Sequence, residues 1–173
     1  MKYLLKAQIL NFYRRKYKWY DPIKGHTGVD LAYFNEYLPS PVSGKVELLA
    51  QQKEMGKVLY LADKESGNIH VFAHLDSFAV LEGQHVERNQ IIGRTGNTGT
   101  VSSGPHLHYE IITFKKPEKF SDQIMTRRLQ GFSGWNIDPL AYIKNLYNKY
   151  GVDENGQAPE VELPPERPIN HKK

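Results

Sequence analysis

Cysteine is absent from the 173-residue chain. Its absence excludes disulfide scaffolds, thiolate metal sites and cysteine nucleophiles. It does not identify a compartment, because exported and intracellular proteins can both lack cysteine. The chain also lacks any stretch near the roughly 20 apolar residues that a helix needs to span a bilayer. Lys6, Gln8 and Asn11 interrupt the apolar pieces at the N-terminus, so we expect neither a membrane span nor a signal peptide.

The composition predicts a soluble globular domain. Hydrophobic residues make up 39% and charged residues 24%, and the formal net charge is +4. Basic residues cluster at 14–18 and 115–119. Such clusters could favour an anionic polymer such as nucleic acid or cell-wall material. A solvated face is the simpler interpretation, and we predict no nucleic-acid partner.

Short alternating segments separated by glycine and proline dominate the middle of the chain. They are rich in Val, Ile, Leu, Tyr or Phe and lie at 42–50, 57–63, 68–75 and 106–113. Many short strands at near-regular spacing predict a mostly β fold, a compact antiparallel β-sheet domain with a few short helices. Helices are predicted at 120–129, with Ser121 as N-cap, and at 138–150, with Asp138 as N-cap and Pro139 at the first helical position.

Two histidines lie one residue apart in SSGPHLHYEII, residues 102–112. Side chains alternate along a strand, so His106, His108 and Glu110 would face one way while the residues between them face an apolar core. Alone, an H-x-H pattern is a weak signal for a metal site. Glu110 would either orient an imidazole or only pack beside it.

A second polar pair, His26 and Asp30, lies in GHTGVDLAY at 25–33, and His74 ends the strand-like VFAHLD. In an extended segment His26 and Asp30 share a face. Imidazole and carboxylate together are typical of an open zinc site with three protein ligands and a water. Zinc lowers the pKa of that water and polarises a carbonyl, and neighbouring histidines can transfer the proton. Alternation also predicts that His70 shares the face of His74, where a surface position or core packing is favoured over a role in the site.

The motifs, taken in order, resemble those of the lysostaphin-type, LytM-like zinc endopeptidases of peptidoglycan, the duplicated hybrid motif family. The similarity runs from about Pro22 to Ile143. GHTGVDLAY resembles the family's H-x-x-x-D metal motif, and SSGPHLHYE resembles its Gly-Pro-His-Leu-His-aromatic-Glu segment. Further family-like segments, in family order, are LPSPVSGKV, VFAHLD, LEGQHVERNQIIGRTGNTG and NIDPLAYI.

The resemblance implies one Zn²⁺ ion bound by His26, Asp30 and His108, with His74 and His106 as the catalytic histidines. It leaves open which of these two is the base. It implies hydrolysis of peptide bonds in the stem peptides or cross-bridges of peptidoglycan, in wall lysis or remodelling, including use as a bacteriophage lysin. A non-catalytic peptidoglycan-binding or amidase-activator module on the same fold is the alternative. All five positions are filled in this sequence, which favours the enzyme.

The expected organisation has three parts: an N-terminal extension at 1–21, the endopeptidase domain at 22–150 and a flexible tail at 151–173. Within the domain, 113–137 looks longer than usual for the family and would shape the groove, contact a partner or cap the sheet. We expect the protein to act outside the cytoplasm, in the periplasm, the cell wall or a virion. Peptidoglycan peptides are the expected partner, and the oligomeric state is not predicted.

Overall fold

The structure is a computed structural model that describes residues 7–11, 26–115, 124–125 and 134–150. The predicted tail at 151–173 and most of the N-terminal extension lie outside the described residues. The described elements are one helix and eleven strands: β1 (Ile9–Asn11), β2 (Val29–Leu31), β3 (Tyr37–Pro39), β4 (Gly44–Gln52), β5 (Gly56–Asp63), β6 (Ile69–Phe78), β7 (His85–Val86), β8 (Ile91–Thr95), β9 (Leu107–Thr113), β10 (Ile124–Met125), β11 (Trp135–Ile137) and α1 (Pro139–Tyr150).

The strands form one antiparallel sheet. Its main order is β1-β2-β9-β6-β5-β4-β7, with β8 pairing β3 and β6, and β11 pairing β9 and β10. The four segments predicted as strands are found as β4, β5, β6 and β9. The predicted fold class, a mostly β antiparallel domain, is confirmed.

Alternation along the central strands gives the sheet two buried faces. One face belongs to the main core, which includes Leu59, Phe72 and Tyr109 and is covered by Ile143 of α1. The other face carries a second apolar cluster that includes Val71 and Ile112. Because side chains of a strand alternate, the polar residues of β9 lie on the face of the second cluster, away from α1.

Helix α1 begins where the sequence predicts. The Leu140 N–H donates to Asp138 Oδ1 at 3.0 Å, so Asp138 caps the helix, and Pro139 occupies the first helical position. The helix ends at Tyr150, directly before Gly151. At 12 residues it is far shorter than a bilayer span, and no helix in the described part of the chain has the length and apolar character to cross a membrane.

The other predicted helix, 120–129, is wrong where the structure describes it. Ile124 and Met125 form β10 and pair with Asn136 and Trp135 of β11. Pairing with a neighbouring strand overrides a weak helical propensity. The rest of the predicted helix lies outside the described residues.

A bulge in β6 changes the direction of His74. Lys57 pairs with Leu75 and Leu59 with Phe72, so two steps along β5 match three along β6. His74 has a φ of 61°, in the left-handed region that side-chain-bearing residues rarely adopt. A bulge of this kind turns a side chain away from the face that alternation assigns to it.

His70 lies in the regular part of the same strand, and its side chain points to the face that alternation assigns to it. It is fully buried on the main-core face, where its Nδ1 lies 2.6 Å from Tyr109 Oη. The prediction that His70 shares a face with His74 is therefore wrong, because the bulge comes between them. The prediction that His70 has a packing role agrees with its burial.

Candidate metal and catalytic site

The strands β2 and β9 bring His26, Asp30 and His108 together. Asp30 is paired directly opposite His108, and His26 precedes Asp30 by four residues. His26 Nε2 lies 3.2 Å from Asp30 Oδ1 and 3.1 Å from His108 Nδ1. His108 Nδ1 lies 2.8 Å from Asp30 Oδ1. The three donor atoms thus form a nearly equilateral triangle.

This triangle has the dimensions of a zinc site. Tetrahedral zinc, with bonds of about 2.0–2.1 Å to nitrogen and oxygen, holds its ligand atoms about 3.3 Å apart. The observed separations of 2.8, 3.1 and 3.2 Å are only slightly shorter. The side chains of Asp30 and His106 are each 13% exposed, so solvent reaches the cluster. Two imidazoles and one carboxylate with access to solvent fit a catalytic zinc ion.

Glu110 fixes the tautomer of His108. Glu110 Oε1 lies 2.8 Å from His108 Nε2. An ionised carboxylate only accepts hydrogen bonds, so Nε2 carries a hydrogen, and in the neutral ring Nδ1 is the nitrogen that has the lone pair. Glu110 also accepts from Thr27 Oγ1 at 2.5 Å and from Asn136 Nδ2 at 3.0 Å. Burial raises the pKa of Glu110, but these hydrogen bonds outweigh it and hold the pKa below its usual value.

Burial and hydrogen bonding also oppose each other at the candidate ligands. Burial raises the pKa of Asp30, but its hydrogen bonds with His108 and His26 lower it far below the usual range. Burial lowers the pKa of His108, but its hydrogen bonds with Asp30 and Glu110 raise it to about 10. The same two carboxylates that favour a proton on His108 also favour a cation, so metal and proton compete for this ring.

His74 and His106 lie side by side next to the triangle. Their ring centroids are 4.7 Å apart, and His106 Nε2 lies 3.6 Å from Asp30 Oδ1. His74 Nδ1 is 2.8 Å from Thr98 O, and His106 Nδ1 is 2.8 Å from Gly104 O. A carbonyl oxygen can only accept, so each ring carries a hydrogen on Nδ1, and the neutral form of each ring has its lone pair on Nε2.

His74 is uncharged at neutral pH. Burial lowers its pKa to about 4, and the positive charge favoured on His108 acts in the same direction. A neutral imidazole with its lone pair on Nε2 can accept a proton there and return it later.

Gly28 allows the close approach of β2 to β9 that forms the triangle. A Cβ at this position would contact Tyr109 O and lie 2.8 Å from Glu110 Cγ. Glycine therefore lies between His26 and Asp30 because any side chain would separate the two strands.

The structure gathers all five predicted site residues into one cluster, His26, Asp30, His74, His106 and His108. It places His70 on the opposite face of the sheet. The metal-binding and catalytic roles of the five remain predictions. Sequence reasoning assigned no role to Thr27, Thr98 or Asn136, although each lies in a motif that it singled out.

A cluster of two histidines and one carboxylate on an antiparallel β domain is typical of the zinc sites of hydrolases. The sequence profile of Peptidase family M23 matches residues 24–120. The chain therefore belongs to Peptidase family M23, a zinc-dependent family of peptidoglycan hydrolases, and the resemblance noted in the sequence is confirmed.

Two relatives illustrate the match in sequence. Peptidoglycan DD-endopeptidase ShyA from Vibrio cholerae serotype O1 is 47% identical over 55 residues, which are 31% of this chain and 13% of that protein. Lysostaphin from Staphylococcus staphylolyticus is 36% identical over 160 residues, which are 84% of this chain and 32% of that protein. The chain thus spans about a third or less of the length of these relatives.

Two solved structures illustrate the match in fold. The catalytic domain of the antimicrobial peptidase lysostaphin from Staphylococcus simulans superposes with a TM-score of 0.64 at 22% identity, covering 82% of this chain and 95% of that one. This likeness shows the fold. A zinc containing peptidase from Vibrio cholerae superposes with a TM-score of 0.54 at 32% identity, covering 61% of this chain and 33% of that one.

Proposed function

We propose that this protein is a zinc-dependent endopeptidase that hydrolyses peptide bonds in the stem peptides or cross-bridges of peptidoglycan. The observation that carries the proposal is the triangle of His26 Nε2, Asp30 Oδ1 and His108 Nδ1 with two further histidines beside it. Family membership and a relative named as a peptidoglycan DD-endopeptidase support the substrate class. The proposed site of action is outside the cytoplasm, where peptidoglycan lies.

The three donors would hold the zinc ion, whose Lewis acidity lowers the pKa of a water and polarises the scissile carbonyl. Both histidines would bind the ion through a neutral imidazole nitrogen, as metal ligation requires, and Asp30 would contribute the negative charge. Glu110 keeps the hydrogen of His108 on Nε2, so Nδ1 remains available to the cation.

His74 and His106 carry the proton transfers of the proposed reaction. Each ring is held at Nδ1 by a backbone carbonyl and presents the lone pair of Nε2. One ring accepts a proton from the attacking water, and the other stabilises the developing negative charge or protonates the leaving amine. The low pKa of His74 keeps this ring neutral and able to accept a proton at physiological pH.

The test is digestion of purified peptidoglycan from walls with different cross-bridges, followed by mass analysis of the released fragments. We expect new peptide termini that depend on zinc. His108→Ala removes a donor and should lose both the metal and the activity. His74→Ala should retain the metal and lose roughly 10²- to 10⁴-fold in rate. Cleavage that survives complete removal of the metal would contradict the proposal, as would a zinc-loaded protein that releases no peptide from any wall.

A further inference from the structure

The bulge lies between β5 and β6, and a hydroxyl group from a residue outside both strands bridges them there. Lys57 of β5 and Leu75 of β6 are paired across the bulge. The Lys57 N–H donates to Thr98 Oγ1 at 3.0 Å, and Thr98 Oγ1 donates to Leu75 O at 2.7 Å. A single hydroxyl therefore satisfies one backbone donor and one backbone acceptor at the position where the bulge disturbs the ladder.

The same residue also holds the ring of His74. Thr98 O accepts a hydrogen bond from His74 Nδ1 at 2.8 Å. The backbone of His74 is held separately, because its N–H donates to Met55 O at 3.0 Å. His74 is thus fixed at its backbone and at its ring, in a left-handed conformation that costs energy for a residue with a Cβ.

The loop that carries Thr98 is packed directly against the turn between β4 and β5. A Cβ on Gly56 would contact the backbone of Thr98, and a Cβ on Gly99 would contact Gly56 N. The Thr100 N–H donates to Lys53 O at 3.0 Å. This contact between two backbones leaves Thr98 little freedom to move relative to β5 and β6.

We propose that Thr98 is a positioning residue for His74. Its hydroxyl holds the bulge that turns His74 towards the metal site, and its carbonyl keeps the hydrogen of His74 on Nδ1 and the lone pair on Nε2. The proposal rests on the proposed function for the catalytic role of His74. The orientation and tautomer of the ring do not depend on that role and are measured separately.

The variants separate the hydroxyl from the shape of the side chain. Thr98→Ser keeps one donor and one acceptor, whereas Thr98→Val has the shape of threonine and leaves Lys57 N–H and Leu75 O without this partner. Thr98→Ala also removes the hydroxyl and has a smaller side chain than valine. It is used instead if Thr98→Val does not fold. Thr95→Val is the matched control. Thr95 is fully buried, and its backbone pairs with Leu75. Its hydroxyl, however, accepts from Glu36 N at 3.0 Å and donates to Glu36 O at 3.3 Å, so it bridges a different backbone from that of the bulge.

The first readout is the long-range ¹H–¹⁵N spectrum of the histidine rings at neutral pH, in which His74 is assigned by its loss in His74→Gln. We expect the Nδ1-protonated tautomer of His74 in the wild type, Thr98→Ser and Thr95→Val. Thr98→Val keeps the carbonyl but removes the hydroxyl that holds the bulge, so we expect the ring of His74 to move relative to Thr98 O and to populate both tautomers. The second readout is the split between kcat and KM for wall peptides. Thr98→Val should lower kcat by about 100-fold, with KM and zinc content near wild type, and Thr95→Val should change kcat by less than about fivefold.

Two results would overturn the proposal. One is an unchanged His74 tautomer and kcat in Thr98→Val or Thr98→Ala. The other is an equal loss of kcat in Thr95→Val at equal melting temperature, which would make the loss a general effect of stability. If the wild type binds zinc and cleaves nothing, the proposed function fails, whereas the ring spectrum alone still supports or refutes the positioning role of Thr98.

Discussion

Replacement of Glu110 by glutamine tests how a buried carboxylate supports the metal site. Glu110 is 1% exposed and accepts hydrogen bonds from His108, Thr27 and Asn136. Glutamine has the same shape and can still accept from His108 Nε2, but it removes the negative charge beside that ring. Mutation of a group that orients a metal-binding imidazole in this way typically lowers metal affinity by about 10- to 100-fold. We therefore expect Glu110→Gln to weaken zinc binding by roughly 1.4 to 2.7 kcal/mol.

The assay is competition for zinc with a chelator of known affinity, with the fold followed by circular dichroism. Glu47→Gln is the control, because Glu47 is 32% exposed and its ion pair among the described residues is with the exposed Lys45, at 3.4 Å. It should bind zinc as the wild type does. Glu110→Ala should in addition lower stability by about 1–3 kcal/mol for each donor that loses its acceptor. A zinc affinity of Glu110→Gln equal to that of the wild type would refute the assigned role of Glu110.

Two further predictions concern stability. Burial lowers the pKa of His70 to about 4, whereas a pKa of about 6.5 is expected in the unfolded chain. As the pH falls, the unfolded state therefore binds the proton first. The free energy of unfolding decreases as the pH drops between these two values. Urea unfolding at about pH 7.5 and 4.5 should show a loss on the order of 2–3 kcal/mol from this group, and an equally steep loss in His70→Gln would contradict the assignment. Gly28→Ala should lower both melting temperature and zinc affinity, because its methyl group would contact Tyr109 O. Gly104→Ala, where a Cβ meets no atom within 4 Å, is the control, and equal melting temperatures of the two variants would show the reasoning to be wrong.

The part of the site that follows regular strand geometry could be predicted from the sequence. A period of two places His108 and Glu110 of β9 on one face and Tyr109 on the other, and the structure has this arrangement. The pairing of Asp30 with His108 needed the family resemblance, because the sequence does not indicate which strands are neighbours.

The direction of His74 could not be predicted from local sequence. Alternation places it on the main-core face, and the bulge that reverses it depends on Thr98, which follows 24 positions later in the chain. The strand at Ile124–Met125 was missed for a similar reason, because its pairing with β11 is a tertiary contact. Both failures arise where a long-range contact overrides the local pattern.

Anomalous diffraction at the zinc edge, from crystals of the zinc-loaded protein, tests the central claim most directly. The account predicts one peak that lies about 2.0–2.2 Å from each of His26 Nε2, Asp30 Oδ1 and His108 Nδ1. Asp30→Ala crystals should lose this peak. A zinc ion bound at other residues, or a site in which His108 binds through Nε2, would contradict the account.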